Sequence, residues 1–196
     1  MSNSEWRTEK KAATRRLIRE RALELFERQG YDNTTVEEIV ASAGVSHMTF
    51  FRNFPTKEDV VLSDEYDALI LEQLQQTSPD LSVVERIRSA FKTGLAEMYE
   101  LDHDALFIQN KLIAETPALR ACLWEDQLIA QQFFVDALRK DVSVTQAYEL
   151  RVIVAACLAA AATAILTWVE DNGKTQLPTL LDDAFETLTH IEGDLA

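Results

Sequence analysis

The chain has 196 residues, which is enough for one domain or two small domains with a hydrophobic core. Hydrophobic residues make up 47% of it, and glycine and proline are few, which excludes a disordered chain and favours an all-α fold. The net charge of −14 is unevenly spread. Residues 1–60 carry ten basic and ten acidic side chains, whereas residues 61–196 carry nine basic and 23 acidic side chains. Within the first 21 residues there are seven basic and three acidic side chains. The N-terminal segment is therefore the part suited to contact with DNA phosphate.

Two cysteines, Cys122 and Cys157, lie far apart and match no metal-binding or redox spacing. They predict free thiols in a reducing compartment. The N-terminus is polar and charged, which predicts that no signal peptide is present. We therefore expect a cytoplasmic protein without a cofactor or a bound metal.

The first predicted helix runs from Arg7 to Gln29, after a flexible lead, and Gly30 ends it. Its apolar residues recur at helical spacing, at Leu17, Ile18, Ala22, Leu25 and Phe26. Its basic residues either touch the DNA backbone or form a solvated face, and the sequence favours neither alternative.

The next stretch has the pattern of two short helices joined by a tight turn. Thr35 can cap the first of them, and Glu38, three residues later, completes a capping box. Gly44 suits the left-handed residue that ends this helix. Ser46 then caps a second helix over residues 47–53, before Pro55. Such a pair can place its second helix in a DNA major groove.

The segment GVSHMTFFRNFPTKEDVV, residues 44–61, resembles the recognition segment of the tetracycline-repressor (TetR) family of transcriptional regulators. The upstream segment RRLIRERALELFERQGYDNTTVEEIV, residues 15–40, fits the family's first two helices. Phe51 departs from the pattern, because the family commonly has a tyrosine there whose hydroxyl reaches a DNA phosphate. The positions that fit are Gly44, Val45, Ser46, Thr49, Phe50, Phe54, Pro55, Lys57 and Glu58.

Side chains of the second helix are expected to face the groove, and helix starts nearby are expected to hold phosphate. His47, Met48, Thr49 and Asn53 would meet base edges, with Phe51 close to the backbone. Phe50 and Phe54 are expected in the core. The full predicted DNA-binding set is Thr35, Ser46, His47, Met48, Thr49, Phe51, Asn53 and Lys57.

The remainder of the chain predicts further helices, about nine in all, with a DNA-binding domain over 1–56 and an effector-binding and dimerisation domain over 57–196. The helices are predicted at 57–75, at 81–101, from a break near 102–104 to Thr116, and then at 117–140, 145–172 and 177–190. The break is predicted from the polar triplet Asp102-His103-Asp104.

Within the predicted helix at 145–172, residues 152–169 carry no charge and are long enough to span a bilayer. The stretch is rich in alanine and threonine and lacks flanking basic clusters, so we expect a buried helix and no membrane contact. A helix that is apolar on nearly all sides must be buried on nearly all sides. The two C-terminal helices are therefore the expected homodimer interface.

The family resemblance also implies an effector pocket among the C-terminal helices. The absence of an internal basic cluster favours an apolar or acyl-type molecule, and ETPALRA is similar to actinobacterial regulators of acyl-CoA-like ligands. Aromatic residues at helical spacing fit a plain core as well. The candidate lining residues are Phe91, Leu95, Met98, Phe107, Trp124, Leu128, Phe134 and Trp168.

An enzyme is not expected, because no catalytic motif occurs and the three histidines lack ligand-spaced partners. The resemblance implies a ligand-responsive repressor that binds a pseudo-palindromic duplex operator as a homodimer. Two alternatives stay open. One is a helical small-molecule-binding protein or enzyme with a vestigial helix-turn-helix, and the other is a regulator without an effector.

Overall fold

The computed structural model describes residues 3–62, 65–139 and 147–194. Within these ranges it contains nine helices and no strand, which confirms the all-α prediction. The helices are α1 (Asn3–Gln29), α2 (Val36–Ala43), α3 (His47–Asn53), α4 (Glu58–Leu62), α5 (Glu65–Gln76), α6 (Val83–Glu115), α7 (Pro117–Leu138), α8 (Ala147–Glu170) and α9 (Leu177–Asp194).

Two compact units make up the chain, and each is built from two segments of it. The N-terminal unit comprises Met1–Ser63 and Lys111–Ala121, and the C-terminal unit comprises Asp64–Asn110 and Cys122–Ala196. The end of α6 and the start of α7 therefore belong to the N-terminal unit. The functional boundary predicted between residues 56 and 57 stays a prediction.

The core of the N-terminal unit is made by α1 to α4. Ile18 and Phe26 from α1 meet Ile39 from α2 and Phe50 from α3, all of them almost completely buried. Each such side chain stabilises the fold by about 1.5–3 kcal/mol relative to its exposed state. The predicted core positions of Phe50 and Phe54 are confirmed.

A return segment, residues 111–121, completes this core. Leu119 at the start of α7 is fully buried in the same apolar cluster. Leu112 and Ile113 at the end of α6 pack against that cluster as well. The sequence does not reveal this arrangement, because Leu112, Ile113 and Leu119 lie at least 50 positions after the end of α4 at Leu62.

The C-terminal unit is organised around α6, α8 and α9. Helix α8 packs along α9. The ring of Phe91 on α6 stacks on that of Phe134 on α7, with centroids 5.9 Å apart, and lies at the same distance from the ring of Phe185 on α9. A separate aromatic contact joins Trp168 on α8 to Phe107 on α6 at 5.1 Å.

Several predicted helix limits need correction. Helix α1 begins at Asn3, where a flexible lead was expected, and the helix predicted over 57–75 is described as α4 and α5. The predicted break at 102–104 is wrong, since α6 is continuous over 33 residues. Asp and His are only weak helix formers, but tertiary packing supplies most helix stability in proteins, and His103 packs against Trp168 with ring centroids 5.6 Å apart. The loop expected after α7 lies outside the described residues.

Helix α8 is long and apolar enough to cross a membrane, with a mean hydropathy of 2.3 in its most apolar window. Only 33% of that apolar stretch is buried. The predicted burial on nearly all sides is therefore not found in a single copy, because one face of α8 is exposed. Its buried residues, including Val154, Cys157 and Trp168, belong to the core of the C-terminal unit.

Candidate DNA-binding and effector sites

Helix α2 and the turn after it have the geometry that their sequence predicts. The Thr35 N–H donates to Glu38 Oε2 at 2.9 Å, and the Glu38 N–H donates to Thr35 Oγ1 at 3.3 Å, which closes the capping box. The bond from the Thr35 backbone is the main cause of a lowered pKa at Glu38. Gly44 has φ of 64°, the left-handed conformation predicted for it.

Helix α3 starts at the predicted cap. The Thr49 N–H donates to Ser46 Oγ at 3.1 Å, and the hydroxyls of the two residues lie 2.9 Å apart. Ser46 is therefore occupied in starting the helix, and its oxygen satisfies one of the free amides of the first turn.

The exposed face of α3 is formed by His47, Met48, Phe51 and Arg52. Met48 is 80% exposed and Phe51 is 51% exposed, which is unusual for apolar side chains of this size in a short helix. Three of the predicted contact residues, His47, Met48 and Phe51, therefore lie where a DNA groove could reach them. Thr49 is half-buried.

Asn53 is not placed as expected. Its side chain is only 5% exposed, so the prediction that it faces outward with His47 is wrong. Its Nδ2 donates to the Thr49 carbonyl at 2.7 Å, and its Oδ1 is buried without a hydrogen-bond partner among the described residues. The side chain of Asn53 closes the end of α3 within the protein.

Lys57 is also held inside the unit. Its Nζ donates to the carbonyls of Tyr31 at 3.0 Å and Thr34 at 3.1 Å. The start of α4 is capped by Thr56, which exchanges hydrogen bonds with Asp59 at 2.8 and 3.1 Å. Thr35 and Lys57 therefore both hold the local fold, and a phosphate contact by either stays a prediction.

The predicted effector residues fall into two aromatic groups in the C-terminal unit. Phe91 and Phe134 join Phe185, with Leu95 buried nearby. Phe107 and Trp168 form the second group with Tyr99 and His103, whose ring centroids lie 5.9 and 5.6 Å from the Trp168 ring.

The remaining predicted effector residues are Leu128, Met98 and Trp124. Leu128 is 51% exposed, so its predicted position inside a pocket is wrong for the protomer. The side chains of Met98 and Trp124 lie outside what the structure describes.

Trp168 is fully buried, and its Nε1–H has no hydrogen-bond partner in the described part of the chain. A buried donor without an acceptor costs about 1–3 kcal/mol, so such a group calls for a water molecule or a ligand.

A cleft between α6 and α9 borders the first aromatic group. Its volume is about 10 Å³, which is room for about one water molecule. A wider, open groove of about 360 Å³ lies between α7 and α8 and is lined by Gln131, Tyr148, Arg151, Val152 and Ala155. Neither space encloses a ligand of drug-like size as it stands.

Charged residues that the sequence reasoning missed line the mouth of the cleft. Arg88 and Lys92, one turn apart on α6, both contact Asp182 on α9, at 3.0 and 3.1 Å. Partial burial alone would raise the pKa of Asp182, but hydrogen bonds from Lys92 and Arg88 outweigh it and lower that pKa. The spacing of the two cations was visible in the sequence, whereas their shared acidic partner was not.

The histidines lie apart from one another. His47 is on α3, His103 lies beside Asp104 with Nδ1 2.9 Å from its carboxylate, and His190 is near the end of α9. Within the described ranges, no three His, Cys, Asp or Glu residues converge in a way that could hold a metal ion.

Two family models match the chain. Residues 13–63 match the model described as bacterial regulatory proteins, tetR family. Residues 81–192 match the model described as MftR C-terminal domain. The first covers α2, α3, α4 and the part of α1 from residue 13 onward, and the second covers more than half of the chain.

Curated relatives are similar over part of their length. The HTH-type transcriptional regulator TcmR of Streptomyces glaucescens is 36% identical over 112 residues, which is 54% of this chain and 49% of TcmR. YuxN of Bacillus subtilis (strain 168), also named an HTH-type transcriptional regulator, is 32% identical over 63% of this chain and 44% of its own length. The chain thus spans about half the length of these relatives.

Solved structures resemble the fold over most of the chain. The FadR repressor of Thermus thermophilus, in complex with lauroyl-CoA, has a TM-score of 0.56 and 24% identity, covering 89% of this chain and 93% of that one. FadR from Bacillus subtilis, in complex with stearoyl-CoA, has a TM-score of 0.55 and 19% identity, covering 88% and 96%. At these identities the likeness concerns the fold alone.

Proposed function

Because the chain belongs to the tetR family of bacterial regulatory proteins, we propose that it is a ligand-responsive transcriptional repressor in the cytoplasm. It binds a pseudo-palindromic operator as a homodimer, with residues 1–56 on DNA and residues 57–196 for the effector and the dimer. The observation that carries the proposal is the outward face of the capped helix α3, with His47, Met48 and Phe51 exposed. Two such helices must lie about 34–36 Å apart to enter successive major grooves.

His47 is the residue on this face best suited to read a base edge. It is exposed in the first turn of α3, and an imidazole can donate or accept a hydrogen bond in the groove. Met48 and Thr49 suit contact with a thymine methyl group. His47→Ala should weaken operator binding by about 1–3 kcal/mol and relax the sequence preference at one position.

That variant is measured by gel-shift titration on the operator obtained from genome-wide footprinting, with random duplex as competitor. Gln75→Ala, exposed on α5, is the control for a polar substitution away from the exposed face of α3. If His47→Ala binds the operator as the parent does, His47 has no role in recognition.

The proposed dimer uses the two C-terminal helices. Support comes from the exposed face of α8, where Tyr148, Val152 and Leu166 recur at helical spacing with small alanines between them. A contiguous apolar face of this kind is typical of a protein interface, and a symmetric pair would bury it. The helix α9 packed beside it supplies the second element. Sedimentation of the full chain at micromolar concentration tests this part.

The proposed effector is a small apolar or acyl-type molecule in the C-terminal unit. Support comes from the two aromatic groups and from the unpartnered Nε1–H of Trp168, which would suit an apolar ligand with a carbonyl acceptor. The lauroyl-CoA and stearoyl-CoA complexes of similarly folded transcriptional regulators make acyl thioesters the first probes. A ligand can release DNA only through its difference in affinity between the two conformations.

The small volume of the cleft favours a second candidate, a regulator whose core is solidly packed and takes no effector. Operator complexes titrated with lauroyl-CoA, with laurate and free CoA as controls, separate the two. Release by lauroyl-CoA, with quenching of tryptophan fluorescence that Trp168→Phe removes, supports the effector. Specific operator binding that no acyl compound changes supports the second candidate.

A further inference from the structure

Two cations of the N-terminal unit that looked suited to phosphate contact are turned inward. The guanidinium of Arg15 on α1 donates to the backbone carbonyl of Asn53, the last residue of α3. Its central carbon lies 4.2 Å from the centroid of the Phe54 ring. The final carbonyls of a helix have no partner within the helix, so Arg15 satisfies one of them and faces the negative end of the helix dipole.

Lys57 makes a similar contact on the other side of the helix pair. Its Nζ lies 4.0 Å from the centroid of the Tyr31 ring and donates to the carbonyls of Tyr31 and Thr34, just before α2. The Tyr31 hydroxyl donates to Glu58 on α4 at 2.8 Å, which keeps the ring in place under the ammonium.

We propose that Arg15 and Lys57 are positioning residues that set the orientation of α3 on DNA, and that neither contacts a DNA phosphate. Arg15 holds the exit from α3, and Lys57 holds the entrance to α2. This inference rests on the proposed binding of an operator.

The geometry favours this role over phosphate contact. Each cation lies over an aromatic face and donates to backbone carbonyls, so its orientation is set within the protein, and turning the side chain toward a phosphate would cost these interactions. The two contacts bracket residues 35–53, and a small rotation of a seven-residue helix moves its side chains away from the base edges. Loss of either contact should therefore reduce discrimination between sequences rather than general attraction to DNA.

Salt dependence distinguishes the two roles for Arg15. A lost phosphate contact weakens binding to all duplexes and reduces the salt slope by about 1. Arg15→Gln and Arg15→Lys should instead bind the operator about tenfold more weakly and random duplex as before, with the salt slope unchanged. Lysine should not restore binding, because it lacks the planar group that stacks on Phe54 while it donates. Arg16→Gln, exposed at the next position of α1, is the matched control.

Lys57→Met keeps most of the aliphatic stem and removes the ammonium. It should also lower the ratio of operator to random-duplex affinity about tenfold with an unchanged salt slope. Fluorescence anisotropy on labelled duplexes gives both quantities. Circular dichroism, at a temperature well below the unfolding midpoint of each variant, shows that the compared proteins are folded.

Each outcome has one meaning. A reduced ratio with an unchanged slope in folded variants supports the proposal. If the salt slope of binding falls by about 1 while the ratio of operator to random-duplex affinity is unchanged, the proposal is overturned and the residue is a phosphate contact. A variant that is only less stable, with ratio and slope unchanged, overturns it in favour of a purely structural role. If the parent protein prefers no duplex, the proposed function fails, and the positioning role fails with it.

Discussion

The N-terminal and C-terminal units are stabilised in different ways. In the N-terminal unit, short helices begin and end at capping residues, and a dense cluster around Ile18, Phe26 and Phe50 lies beneath them. In the C-terminal unit, long helices are joined by separate aromatic groups and by ion pairs such as Arg88–Asp182, with one face of α8 left exposed. The first arrangement fixes α2 and α3 by local caps and one shared core, whereas the second depends on contacts between side chains far apart in the sequence.

The largest expected effect comes from a large-to-small substitution in the N-terminal core, which tests how closely that core is packed. Phe50→Ala should lower the free energy of unfolding by about 3–5 kcal/mol, because it removes a fully buried ring and leaves a cavity. Phe51→Ala, the adjacent half-exposed ring, should change it by about 1 kcal/mol or less, because the ring contributes mainly its edge contact with Phe50. Urea unfolding followed by circular dichroism measures both, and equal effects would contradict the assigned faces of α3.

A second substitution tests whether residues 111–121 belong to the N-terminal core. Leu119→Ala should cost about 2–5 kcal/mol, since the side chain is fully buried among residues of α1 to α4. Leu123→Ala, one turn later on α7 and partly exposed, is the control and should have a much smaller effect. Similar losses for the two variants would show that the return segment is not part of that core.

A third, smaller effect tests the contribution of local capping. Thr35→Ala should destabilise the protein by about 1 kcal/mol, because it removes one side of the capping box with Glu38. Thr35→Ser keeps the hydroxyl and should restore most of the stability. Thermal unfolding of the three proteins in one buffer measures the difference, and a neutral alanine variant would argue against the cap.

The smallest effect concerns the ion pairs of the C-terminal unit and depends on pH. The folded pKa of Asp182 is lowered, so its contribution is present above the ordinary value of 3.8 and is lost as pH falls toward the folded value. Acidification lowers the free energy of unfolding, and Asp182→Asn should reduce that loss by about 1 kcal/mol or less, since the pair is partly exposed. Asp183→Asn, exposed at the next position, is the control. An acid limb identical in Asp182→Asn and the parent would exclude this contribution.

Much of the fold was predictable because its signals act over three or four residues. The caps at Thr35 and Ser46 and the left-handed Gly44 are satisfied by neighbours along the chain, so their geometry follows from the residue types. The capping box between Ser82 and Glu85, which starts α6, belongs to the same class, with bonds of 2.9 and 3.3 Å. The burial of Phe50 and Phe54 was also predicted and is confirmed.

The candidate sites were predictable only in part. His47, Met48 and Phe51 face outward as expected. Asn53 does not, because its side-chain Nδ2 donates to the Thr49 backbone carbonyl. The backbone carbonyl of Asn53 accepts a hydrogen bond from Arg15. Leu128 fits an apolar pocket by residue type alone, yet it is half-exposed. The residue type determines which interactions a side chain can make. The orientation of that side chain depends on the residues of other helices that pack against it.

The amino-acid sequence by itself determined the helical class, the start of α2 and of α3, the turn between them and the positive N-terminal segment. The tertiary structure alone decided that α6 runs unbroken through His103, that Leu119 returns to the N-terminal core and that Arg15 and Lys57 turn inward. The physical reason is distance along the chain. Caps and turns join residues up to four positions apart, whereas the bond of Arg15 to Asn53 spans 38 positions and that of Arg88 to Asp182 spans 94.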